Sequence, residues 1–237
     1  MSAERLFLLD VEGTVAPISL VTEQLFPYAR KHLAEFLKQN LRQPDVQNDL
    51  KLLAEENSAE LSEDSPTFGS EIRNELHARA YLTWLMDRDR KSTALKSLQG
   101  KIWKAGFESG ELKGTLFDDV PAAFARWSAQ GKVAIYSSGS VEAQQLLFRY
   151  SNHGDLTPII SGYFDTRTGP KAAVASYTAI AEALQVEPAE SIFFSDVVRE
   201  LDAAREAGFE TLLVVREGNA PVEDAHGHSV LESLDSI

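Results

Sequence analysis

The chain has no cysteine among its 237 residues, so a disulfide framework and thiol chemistry are both closed to it. Positive charge is scarce: 23 Lys and Arg stand against 36 Asp and Glu, a net charge of −13. With no basic patch to release counterions from phosphates, nucleic acid is not an expected partner. No apolar run approaches the length of a membrane span, so no membrane partner is expected. The opening MSAERLFLLD goes straight into an apolar segment and leaves no room for a signal peptide. A soluble cytoplasmic protein is the expectation. Its 43% hydrophobic residues can bury one large core or two modest ones.

What is present begins at Leu6–Leu9, a continuous apolar run suited to a central parallel strand buried on both faces. It ends abruptly at Asp10, followed by Glu12, Gly13 and Thr14. Open parallel sheets bind ligands outside the carboxyl ends of their strands, so this carboxylate arrives where chemistry is done. Gly13 allows a sharp turn, and Thr14 is expected to hydrogen-bond to nearby backbone. Val133–Tyr136 runs in the same way into Ser137, Ser138, Gly139 and Ser140, and Ile192–Phe194 into Ser195 and Asp196. Between them Lys171 follows Gly169 and Pro170 at the start of a helical stretch, 171–184.

Each type has a use in phosphoryl transfer. Asp10 can attack a phosphoester and carry the phosphoryl group as an acyl phosphate. Mg²⁺, a hard cation held by oxygens, can neutralise the charge, with Asp10 and Asp196 as its carboxylates. Ser137, Ser138 and backbone N–H groups near Gly139 can hold phosphate oxygens, and Lys171 can place a point charge on them. Glu12 is placed to protonate the leaving alkoxide and later to take a proton from water. Taken singly, Lys171 reads as a solvated first-turn lysine, the serines as a cap before Val141, and Asp196 as a cap for the helix at Val198. Four such residues in order override those simpler readings.

Residues 1–17 and 112–237 alternate short apolar runs with helical patterns, the sign of an α/β, doubly wound, Rossmann-like parallel sheet. Residues 18–111 carry no strand runs. Helices are expected over 22–38, over 72–86 with Ile72, Leu76, Ala80 and Trp84 on one face, and over 93–105. A polar stretch over 55–70, containing Gly69, reads as a linker. An all-helical insertion after the first strand's turn fits a cap that shields the site from water. Trp84 is expected to pack or to line the substrate cavity, and the Asp87–Lys91 charge run to be solvated or to aid substrate binding or cap placement. None of the five histidines has zinc-ligand spacing, and all five, His226 and His228 included, read as surface or half-buried.

The Asp10–Thr14, Ser137, Lys171 and Asp196 motifs resemble those of the haloacid-dehalogenase superfamily. LLDVEGT, LFPYA, MDRDRKSTALKSLQGKIW, YSSGSVEAQ, GYFDT, SDVVRE and VVREGNA resemble, more narrowly, its enolase-phosphatase (acireductone synthase) family. These strings run from residue 8 to residue 220. VREGN, over 215–219, departs from that family in lacking Pro before Gly218, outside the four motifs. The resemblance implies a monomeric enzyme of methionine salvage with one Mg²⁺ per chain. It implies enolisation of 2,3-diketo-5-methylthiopentyl-1-phosphate, then dephosphorylation to the acireductone. Asp10 would be the nucleophile, Glu12 the proton shuttle, and Ser138 with Lys171 the phosphate holders. Asp10, Asp196 and an oxygen of Glu12 would hold the metal. The base for enolisation stays open between Glu12 and a cap residue. Rivals are a phosphatase of the same superfamily for another small phosphate ester, a dehalogenase, in which Glu12 would be superfluous, and a receiver-like phosphoacceptor domain.

Overall fold

A computed structural model describes residues 4–68 and 74–237. Gly69 and Ile72, assigned above to a linker and a helical face, lie outside the described residues. The chain divides into two compact units, Met1–Val21 with Gly110–Ile237, and Thr22–Ser109.

The first unit is built on six parallel strands. They are β1 (Arg5–Leu9), β2 (Gly131–Tyr136), β3 (Gly162–Phe164), β4 (Ser191–Ser195), β5 (Glu210–Val214) and β6 (Ser229–Leu231), in spatial order β3-β2-β1-β4-β5-β6. The chain builds outward from β1 to β3, then crosses to the other side of β1 to add β4. This reversal next to β1 is the topological switch point at which such sheets bind ligands. The register pairs Leu9 with both Ile135 and Phe194, and the Asp10 N–H donates to the Phe194 carbonyl at 2.9 Å. Asp10 therefore emerges level with the ends of β2 and β4.

Both faces of β1 are covered, which explains its unbroken apolar run. Leu6 and Leu8 pack with Tyr136, Tyr177, Ile180 and Phe193. On the other face Phe7 stacks on Trp127, whose ring also meets Phe194, each at 5.0 Å between centroids. Trp127 comes from α5 (Val120–Ser128), and α6 (Val141–Arg149), α7 (Val174–Leu184) and α8 (Val198–Glu206) follow β2, β3 and β4. Strands β3 and β6 escape the sequence reading because each has three residues, and Val230 of β6 lies exposed. His228, read as surface or half-buried, is buried instead: one ring nitrogen lies 2.7 Å from the Thr211 hydroxyl, the other 3.1 Å from Asp202. Its flanking Gly and polar residues hide an edge strand.

The second unit contains α1 (Phe26–Asn40), preceded by a π-helical turn at Leu20–Leu25, then α2 (Pro44–Ala59), α3 (Glu75–Asp87) and α4 (Thr93–Ser109). Residues 55–59, read as linker, belong to α2: Glu56 turns its carboxylate onto the Thr93 and Ala94 amides and so caps α4. Along α3 the buried stripe is Ala78, Tyr81, Leu82 and Leu85, while Leu76 is exposed. Helix α3 carries two overlapping apolar stripes, and periodicity alone does not choose between them. Trp84 packs on Tyr81, with the Arg88 guanidinium 4.8 Å over its ring. The Asp87–Lys91 run is tied down within this unit, Asp87 to Arg30, Arg88 to Asp64 and Arg90 to Glu60. Gly110, at φ 78°, follows the last residue of α4, where a left-handed residue costs glycine little.

Truncating Phe7→Ala removes the ring that joins β1 to α5. It is expected to cost about 3–5 kcal/mol of stability, read as a lower urea midpoint at unchanged m-value.

Candidate active site

The carboxyl ends of β1, β2 and β4 bring Asp10, Glu12, Ser137, Lys171, Ser195 and Asp196 into one cluster. Asp10 is buried; one carboxylate oxygen accepts from the Val11 N–H at 2.7 Å and from the Lys171 ammonium at 2.6 Å. The Lys171 ammonium also lies 2.6 Å from Glu200, on the first turn of α8. The Ser195 hydroxyl stands within hydrogen-bond reach of the other Asp10 oxygen (3.3 Å) and of Glu200 (3.2 Å), and accepts from the Val197 N–H. Burial alone would depress the Lys171 pKa, but the Asp10 and Glu200 charges outweigh it and raise it above the ordinary lysine value.

Lys171 does not open a helix, because α7 begins at Val174. Pro170 and Lys171 instead form a turn pinned by hydroxyls: Tyr136 donates to the Gly169 carbonyl, Ser176 to Pro170 and Tyr177 to Lys171, at 2.9, 2.8 and 2.6 Å. The ammonium is therefore aimed by the rigid core. Glu12 accepts from the Ser137 hydroxyl at 3.1 Å, and that hydroxyl in turn accepts from the Gly139 N–H. Burial first, then the Asp10 charge, pushes the Glu12 carboxyl above its ordinary value. Ser137 is buried and Ser138 exposed, so only Ser138 offers its side chain to the surface. Helix α6 is capped by Ser140 and by the Asp165 carboxylate, which accepts from the Val141 N–H; neither Ser137 nor Ser138 is its N-cap. Asp196 does not cap α8 either. Burial, then the Asp10 charge, pushes its carboxyl up to about 7.

Gly13 sits at φ 76°, and a Cβ there would lie 2.6 Å from Cγ of Asp196, so only glycine lets the two approach. The Thr14 hydroxyl, expected to bond locally, has no partner. Its carbonyl is held instead by Nε of Arg216 at 3.2 Å. Arg216 grips Asp119 through both terminal nitrogens, at 2.7 and 3.0 Å, and the Leu234 N–H donates to the same carboxylate. Burial would raise the Asp119 carboxyl, but these partners outweigh it and hold it below its ordinary value.

Four carboxylates, Asp10, Glu12, Asp196 and Glu200, thus surround one ammonium. No three His, Asp or Glu side chains form a ready-made metal cage among the described residues. Mg²⁺ asks for less, one or two carboxylates with phosphate and water completing the shell, so Asp10 and Asp196 fit it and the surplus negative charge favours it. Sequence reasoning gave no role to Glu200 or Asp165, although both lie inside quoted strings. For Glu200 the available signal was its place four residues after Asp196, one helical turn on.

The haloacid dehalogenase-like hydrolase family matches residues 4–208. The enolase-phosphatase E1 of Synechococcus elongatus is 55% identical over 217 residues, spanning 91% of this chain and 90% of its own. The chain belongs to the enolase-phosphatase E1 family. A second member, a probable bifunctional methylthioribulose-1-phosphate dehydratase/enolase-phosphatase E1 of Physcomitrium patens, is 44% identical across 98% of this chain and 48% of its own length. The crystal structure of the UTR4 protein of Saccharomyces cerevisiae superposes with a TM-score of 0.82 at 36% identity, covering 99% of this chain and all of that one. Within this enolase-phosphatase E1 fold, the Asp119–Arg216 pair ties the turn after β1 to the C-terminal segment.

A depressed carboxyl stabilises the fold above its unfolded pKa, near 3.8, and that stability fades as pH falls through the folded value. Asp119→Asn is therefore expected to cost about 3–5 kcal/mol at pH 7. In urea unfolding its deficit against wild type should shrink at pH 3.

Proposed function

We propose that the chain is a Mg²⁺-dependent enolase-phosphatase of methionine salvage, acting as a cytoplasmic monomer with one Mg²⁺. Its substrate would be 2,3-diketo-5-methylthiopentyl-1-phosphate, and its products 1,2-dihydroxy-3-keto-5-methylthiopentene and phosphate, by way of an enol phosphate. Family membership supports the reaction. The observation that carries the phosphatase half is the buried Asp10 carboxylate, aimed by Lys171, with the raised Glu12 carboxyl two residues on.

Mg²⁺ held by the Asp10 and Asp196 carboxylates and an oxygen of Glu12 would neutralise charge on the phosphoryl oxygens and the enolate. Asp10 attacks phosphorus, forming the acyl phosphate as the bond to the substrate oxygen breaks. Glu12, its carboxyl raised by burial, gives that oxygen its proton. It then takes a proton from the water that hydrolyses the acyl phosphate, restoring Asp10. Ser137 holds Glu12 in place for both transfers. Ser138, the Gly139 N–H and Lys171 hold the phosphate, and Lys171 fixes the attacking carboxylate. The inserted helical unit, Thr22–Ser109, serves as the cap. For enolisation the base is Glu12 or a residue of that cap.

The test supplies Mg²⁺ and the diketo phosphate, or its hexane analogue, and follows enol absorbance with free phosphate. Wild type should form the enol and release phosphate. Asp10→Ala should release none, and Glu12→Gln should lower kcat by about 10²–10⁴. Phosphate release from simple esters without turnover of the diketone would leave a generic phosphatase.

A further inference from the structure

The VREGN loop after β5, outside the four motifs, reaches back to the nucleophile's turn. Asn219 Nδ2 donates to the Gly13 carbonyl at 2.9 Å and also faces the Val214 carbonyl at 3.5 Å. Two carbonyls on one side fix the amide orientation, because only the nitrogen can serve them. Oδ1 must then point the other way. It is fully buried and has no hydrogen-bond partner.

Oδ1 lies on the side of the Gly13 α-carbon that faces Asp196. The point where a Cβ on Gly13 would stand is 3.1 Å from Oδ1 and 2.6 Å from Cγ of Asp196. A buried acceptor without a donor, close to a carboxylate, carries a desolvation cost that something must relieve. Water in the shell of a cation held by Asp196 supplies the missing hydrogens. Such outer contacts usually orient a metal's ligands and govern its affinity.

We propose that Asn219 is a positioning residue for the magnesium site, its Nδ2 bracing the turn through the Gly13 carbonyl and its Oδ1 accepting a hydrogen bond from a metal-bound water. The proposal rests on the assignment of Asp10 and Asp196 as magnesium ligands. It goes beyond that assignment in giving this loop a part in metal binding.

The test is calorimetric titration of substrate-free protein with Mg²⁺, beside thermal unfolding in EDTA. Asn219→Leu, which removes donor and acceptor, should weaken Mg²⁺ binding about 10- to 100-fold. Asn219→Asp keeps an acceptor and loses the donor, so it should bind Mg²⁺ at least as tightly as wild type. Its Tm in EDTA should fall, because the Gly13 bond is gone. Ala220→Asp, in the otherwise wild-type chain, controls for added charge and should change the affinity little. Unchanged affinity in Asn219→Leu, or weakened affinity in Asn219→Asp, would overturn the proposal. So would a gain in Ala220→Asp as large as the rise from Asn219→Leu to Asn219→Asp. If Asn219→Leu does not fold, the comparison of Asn219→Asp with wild type and Ala220→Asp decides. No Mg²⁺ binding by wild type would instead refute the assignment of Asp10 and Asp196.

Discussion

Everything at the strand ends depends on one buried ammonium. Lys171 sits between Asp10 and Glu200, and withdrawing it would leave two carboxylates facing each other away from water. Breaking such a pair is far costlier than forming it is profitable, so its value lies in fixing geometry. The surroundings follow from that demand. Three hydroxyls hold the backbone that carries the lysine, and Ser195 closes the ring on the far side of both acids.

A charge held so firmly also sets the chemistry of its neighbours. Lys171 holds Asp10 and Glu200 at the same 2.6 Å, while Glu12 and Asp196 are pushed up by burial first and then by the like charge of Asp10. Two carboxyls flanking a third, in environments that raise them, form an arrangement suited to trading protons.

The architecture was legible where the sequence concentrates its apolar residues. Leu6–Leu9 announces a strand covered on both faces, and the two-unit division follows from the loss of such runs across α1–α4. Strands β3 and β6 were illegible because three residues leave no periodicity to read. The phase of α3 was misjudged because Ala78 and Leu82 compete with Leu76 and Ala80 for the buried face. At the site, Asp10 and Asp196 were read from strand ends, and Lys171 from a helix start that lies at Val174 instead. Asp165 meets Val141 across 24 positions and Arg216 meets Asp119 across 97, contacts that spacing cannot show. Arg216 reaches Thr14 across 202 positions.

That distance has a consequence for biosynthesis. β1 pairs on one side with residues 131–135 and on the other with residues 191–194, all of which leave the ribosome long after it. Non-local pairings of this kind are slow to form, because the entropy of closing the loops comes before any contact rewards it. The helical residues between can fold early and shorten the gap to β2. β1 must still wait, one edge open, until residues 191–194 have been made, and an unpaired apolar edge of that kind is where a folding chain is most exposed to misassociation.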